Sequence, residues 1–124
     1  MSVKSYRDLL VWQKAMDLVV EVYRIAALLP KNETYGLVSQ LQRAAISIPA
    51  NIAEGHRRDH LGDYLRHLSI ANGSLMELET HLLLVARVSY LPSGEMANAL
   101  SLSDEVGKML SGLGKSLKGR ARDT

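Results

Sequence analysis

The chain has 124 residues, enough for one domain with a core that needs no covalent staples. It has no cysteine, which excludes disulfides and thiolate metal sites. Fifteen basic and 13 acidic side chains leave a net charge of +2, and aromatic residues make up only 5% of the chain. So small an excess does not by itself specify nucleic acid, and stacking platforms for single strands are poorly supplied. The start, Met1-Ser-Val-Lys-Ser-Tyr-Arg-Asp8, lacks the apolar run of a signal peptide, and no segment is long and apolar enough to span a bilayer. Cytoplasmic is the default expectation, with no membrane partner.

The first periodic segment begins between Asp8 and Val11 and runs to Leu29, where Pro30 stops it. Trp12, Ala15, Met16, Val19, Val22, Tyr23 and Ala26 recur at helical spacing, and this pattern predicts the buried face with Trp12 as a core anchor. Pro30 to Gly36 reads as a loop in which Asn32 or Thr34 caps the next helix and Glu33 favours its positive end.

The second helix carries Gln40-Leu-Gln-Arg-Ala-Ala-Ile-Ser-Ile-Pro-Ala-Asn-Ile-Ala-Glu-Gly55. Gln40, Arg43, Ser47, Asn51 and Glu54 form one narrow polar stripe. Leu41, Ala44, Ala45, Ile48 and Ile52 form an apolar face beside it, and Val38, Ile46, Pro49 and Ala53 cover much of what remains. A helix apolar almost all round buries more than one face, so these last four are expected to meet a neighbouring helix or subunit. Pro49 lacks a backbone donor and crowds the carbonyl of Ala45, which predicts a kink. Gly55 suits a left-handed C-cap.

Asp59 is the expected cap of a third helix. Its seam is Leu61, Tyr64, Leu68, Ala71, Leu75, Leu78, Leu82 and Val85, with the alternating three-four spacing of a left-handed bundle. Asn72 and Glu79 lie in a row at the seam's edge, while Ile70 and Leu84 face away from it. After Leu91 to Gly94, where Ser93 is the expected cap, Ala99, Ser103, Val106, Leu110, Leu113 and Leu117 mark a fourth helix. Gly107, Gly112 and Gly114 lower its propensity, predicting frayed last turns and a mobile basic tail over 118–124. The expected fold is all-α: one domain over 1–124, an antiparallel up-down-up-down four-helix bundle with its ordered core over about 6–117.

The Gln40 to Gly55 stretch, Leu9 with Val11-Trp-Gln-Lys-Ala15, Gly36-Leu37 and Ile70-Ala-Asn-Gly-Ser-Leu-Met-Glu-Leu-Glu-Thr80 resemble a known family. It is that of the bacterial four-helix-bundle proteins encoded inside intervening sequences of 23S ribosomal RNA genes. The likeness covers roughly Tyr6 to Leu91. It implies a compact bundle assembled as a ring, usually a homopentamer, with no catalytic activity. The chain is also similar to the accessory variability protein of diversity-generating retroelements, a basic pentameric barrel that engages a reverse transcriptase and nucleic acid. That likeness implies association with RNA or DNA.

The polar stripe has two readings: a groove for a phosphate backbone, or a structural network. The second is preferred, because acid lies in the same stripe and polar groups inside bundles fix register. The network is expected to comprise Arg43, Ser47, Asn51, Glu54, Asn72 and Glu79, with Arg43 paired to Glu79 or Glu54, so that Arg43→Ala lowers stability or breaks the assembly. His60, Asp63 and His67 imitate a metal-ligand spacing, but such sets arise often on charged helices, and no metal or other cofactor is expected. His81 is expected half-buried or at an interface. No nucleophile–base–acid set, phosphate loop or small-molecule site is evident. Arg57, Arg58, Lys115, Lys118, Arg120 and Arg122 are candidate nucleic-acid contacts whose effect multiplies in a ring. The expected function is a non-catalytic oligomeric scaffold associating with nucleic acid or a ribonucleoprotein. The alternative is a purely structural or protein-interaction module.

Overall fold

A computed structural model describes residues 4–123, and the side chains of residues 4–120. Four helices carry the described chain: α1 Leu10–Ala26, α2 Leu37–His56, α3 Leu61–Arg87 and α4 Ala97–Asp123. Short 3-10 turns at Tyr6–Asp8, Lys31–Glu33 and Ser93–Met96 precede three of them. Each helix packs on the next, and α4 returns against α1, the neighbour pattern of an up-down-up-down bundle. No strand occurs among the described residues, so the protein is all-α. No described helix is long and apolar enough to cross a membrane.

The α3 seam read from the sequence is largely the core: Leu68, Ala71, Leu75, Leu78, Leu82 and Val85 are buried and meet Ile48 and Ile52 of α2 and Val106 and Leu110 of α4 in one cluster. On α1 the expected face is off by about one residue. The buried row is Val11, Ala15, Leu18, Val22, Ile25 and Ala26, so Ala15, Val22 and Ala26 of the expected face are buried, whereas Met16 and Tyr23 are exposed and Trp12 and Val19 half-buried. Both rows have helical spacing, so periodicity alone does not rank them. Trp12 packs half-buried against this core, its ring 5.3 Å from that of Tyr6 in an edge-on pair.

The helix ends differ from expectation too. Neither Asn32 nor Thr34 caps α2. Glu33 does, accepting from the Leu37 backbone N–H at 3.0 Å while its other carboxylate oxygen accepts from the Tyr90 hydroxyl at 2.7 Å. Ser89 takes the left-handed conformation at φ 64, and just beyond it the Tyr90 N–H returns to the Val85 carbonyl. One acid thus ties the α1–α2 loop to the α3–α4 loop. Asp59 does not cap α3, whose N-cap position is His60 without a side-chain bond, and Ser93 lies inside a 3-10 turn instead of capping α4. Helix α4 stays helical through Asp123, past the point where its glycines predicted fraying.

These two bonds, the backbone one first, hold the Glu33 carboxyl below the usual carboxylate range. A carboxyl lowered in the folded state stabilises above its unfolded value, and that contribution fades as pH falls through the folded one. Thermal unfolding of the parent should therefore drop more between pH 5 and pH 3 than that of Glu33→Gln. Parallel acid profiles would remove this cap from the account.

Gly55 is no left-handed cap. It lies inside α2, and among the described residues no glycine has positive φ. Its role is contact: a Cβ there would stand 2.8 Å from His67 Cβ and 3.1 Å from Tyr64 Cδ1. The missing side chain lets α2 and α3 close on each other just before their connection. Pro49 sits buried within α2, which remains one continuous helix from Leu37 to His56.

Candidate functional site

The polar stripe of α2 lies along the α2–α3 seam and splits in two. Its inner part is a hydrogen-bonded chain. The Asn51 amide donates to the Ser47 carbonyl at 2.9 Å and to Ser47 Oγ at 3.1 Å. Ser74 of α3 donates to the same Ser47 Oγ at 2.8 Å. Since the Asn51 nitrogen is used on Ser47, its Oδ1 faces His67 Nδ1 at 3.0 Å, and the ring nitrogen must be the donor. His67 is only 8% exposed, and its Nε2 stands 3.9 Å from Glu54 Oε1. That same carboxylate oxygen accepts from Arg58 at 2.7 Å.

The outer part of the stripe is open. Arg43 is exposed and forms no ion pair with Glu54 or Glu79, correcting the expected pairing. It borders a shallow cleft of about 340 Å³ with Gln40, Ser47, Ser74 and Glu77. Glu79 turns the other way, toward α4, where buried Ser103 donates to its Oε1 at 2.6 Å. Asn72 is exposed on the α3–α4 side. The six residues named from sequence therefore fall into separate places: Ser47, Asn51 and Glu54 share one chain with His67 and Ser74, while Glu79, Asn72 and Arg43 lie outside it.

His67 and Ser74 were the members that sequence reading missed. His67 was grouped with His60 and Asp63, but those two are exposed while His67 turns inward to Asn51. Among the described residues no three His, Asp or Glu side chains are placed to hold a metal ion. The usable signal was Gly55, whose missing side chain admits His67 and Tyr64 against α2. His81 is half-buried, and its Nδ1 has no hydrogen-bond partner among the described residues.

Of the four expected outer residues of α2, only Ile46 is fully outer, at 45% exposed. Val38 and Ala53 are half-buried, and Pro49 is buried inside the chain, so Pro49 is removed from the outer surface. Helix α1, which packs on α2, adds Met16, Val20 and Tyr23, with Val20 70% exposed. Ile70, Leu84 and Val88 are exposed along the outside of α3.

Basic residues gather at one end of the bundle, where α1 and α3 begin and α2 and α4 finish. Arg7, Arg57, Arg58, Arg66, Lys115, Lys118 and Arg120 lie there, against Asp8, Glu54, Asp59 and Asp63. Arg120 lies near enough to Tyr64 to oppose the upward push that burial gives its phenol. At the opposite half acids are in excess, including Glu21, Glu33, Glu77, Glu95 and Glu105. The small net charge conceals this polarity. The side chain of Arg122 lies outside the described residues.

No curated protein matches the chain. Among solved structures, it is similar to a protein of unknown function from the S23 ribosomal protein family of Bacteroides thetaiotaomicron VPI-5482, with 26% identity and a TM-score of 0.77 over 86% of this chain and 99% of that one. The model of the 23S rRNA-intervening sequence protein family matches residues 7–112, which span α1, α2, α3 and more than half of α4. The chain belongs to that family of 23S rRNA-intervening sequence proteins.

Proposed function

We propose that the protein is a non-catalytic bundle that self-associates through the outer faces of α1 and α2, a pentamer being the state implied by the family resemblance. The observation that carries this reading is the double-sided α1. Its Val11–Ile25 row already fills the core, yet Met16, Val20 and Tyr23 remain exposed on the helix packed beside Ile46. Grouped exposed apolar side chains of this size mark interaction surfaces more often than chance exposure. The absence of catalysis rests on the polar chain: the Ser47 hydroxyl is engaged by Asn51 and Ser74, and His67 is turned to Asn51, not to a nucleophile. Val20→Glu/Ile46→Glu changes only exposed positions, so it should fold as a bundle and lose mass by light scattering. An unchanged assembly would place the contact elsewhere.

The charge polarity favours a second element of this reading, in which Arg57 and Arg58 at the basic end contact RNA or DNA in the assembled form. One subunit offers few phosphate contacts, but a ring repeats them, and the gain is multivalent and steep in salt. Retention of a single-stranded RNA should fall with rising salt in the parent and be lost in Arg57→Ala/Arg58→Ala at unchanged mass. Absent or salt-insensitive retention favours the competing class, a structural or protein-interaction module without nucleic acid.

A further inference from the structure

We infer that the groove between α3 and α4 is a docking site for an amphipathic helix of a partner protein that carries carboxylates at one end of its apolar face. The groove opens at the basic end as a cleft of about 340 Å³, with Leu65, Leu68 and Leu110 as its floor and Lys115 and Lys118 among its lining. Through Ser111 it continues into a second cleft of about 360 Å³ bordered by Met76 and Lys108. On α3 the wall repeats at seven, four and three residues as Leu65, Asn72, Met76 and Glu79, one side of the helix. Met76 is 47% exposed there. From Leu65 to Glu79 the wall extends about 21 Å at 1.5 Å per residue, the length of a four-turn helix.

Charge selects the occupant. Lys115 and Lys118 are exposed and make no ion pair among the described residues, although they line a leucine floor. A phosphate backbone would use the lysines and leave half-buried Leu65 and exposed Met76 in water. A helix laid in the groove uses both, with leucines at three-four spacing on the floor and carboxylates against the lysines at one end. Further along, Asp104 accompanies Lys108 on the rim, so the demand for acid is confined to the Lys115 end.

The test uses the full-length protein and a fluorescent 18-residue helical peptide with leucines at three-four spacing and glutamates clustered in one terminal turn, read by anisotropy. A second peptide carries lysines in place of the glutamates. A Cβ at Gly114 would meet no heavy atom within 4 Å, so Gly114→Leu puts a side chain into the groove without a clash at the backbone and gains helix propensity. Gly112 is equally open but is not among the groove-lining residues, making Gly112→Leu the matched control. The glutamate peptide should bind about tenfold more tightly than the lysine peptide, a difference of about 1.4 kcal/mol. Gly114→Leu should abolish binding, Gly112→Leu should not, and a single-stranded RNA should fail to displace the peptide. Equal binding by Gly114→Leu and the parent, preference for the lysine peptide, displacement by RNA, or no binding would each overturn the proposal.

Discussion

Gly55→Val should destabilise the bundle by about 1–3 kcal/mol, the usual cost of forcing extra atoms into a filled space. The added Cβ would lie 2.8 Å from the His67 Cβ and 3.3 Å from the Tyr64 carbonyl oxygen, and neither is the free end of a flexible side chain. The helices must therefore separate where α2 and α3 pack most closely before their connection. That separation also lengthens the His67–Asn51 hydrogen bond. A glycine inside a helix costs up to about 1 kcal/mol relative to alanine, so a glycine with open space around it gives the opposite result. Gly112→Ala, with no atom within 4 Å of the new Cβ, should stabilise. Chemical denaturation of the pair gives the comparison directly: packing fixes the first sign and helix propensity in open space the second, and a Gly55→Val as stable as the parent would contradict the close contact.

Asn51→Ala should cost about 1–3 kcal/mol, because it strands a buried imidazole donor and removes two hydrogen bonds to Ser47. Arg43→Ala should stay within about 0.5 kcal/mol, since Arg43 is exposed and unpaired among the described residues. The two residues share one stripe of one helix, yet they differ in what stands opposite. A double-mutant cycle on Asn51→Ala and His67→Ala should return a coupling of about 0.5–3 kcal/mol. An Arg43→Ala variant more damaging than Asn51→Ala would restore the sequence-based picture in which the arginine anchors the network.

The α3 seam was legible because its three-four spacing admits one face. The α1 face was not, because Trp12, Met16, Val19 and Tyr23 form a second row as regular as the buried one. Which row turns inward depends on the neighbouring helices, and a single strip of sequence does not contain them. The polar stripe of α2 could be seen, but its partners are 16 and 27 residues away in the chain. Acids looked like the natural partners of Arg43 on charge alone. In the bundle Glu79 points to Ser103 and Glu54 to Arg58, so geometry overrides that pairing. Glu33 was placed at the correct helix end for its charge, but its hydrogen bond to Leu37 makes it the cap as well. The polarity of charge became visible only when the termini of four helices were brought to common ends.

In the proposed function the basic end, the double-sided α1 and the exposed Ile46 all act through repetition of the subunit. Light scattering coupled to size exclusion of the parent protein therefore tests the central claim most directly. Self-association predicts one peak at a fixed multiple of 13.7 kDa, unchanged on dilution through the micromolar range. A single peak at 13.7 kDa would contradict it, and would leave the apolar faces of α1 and α2 without the partner proposed for them.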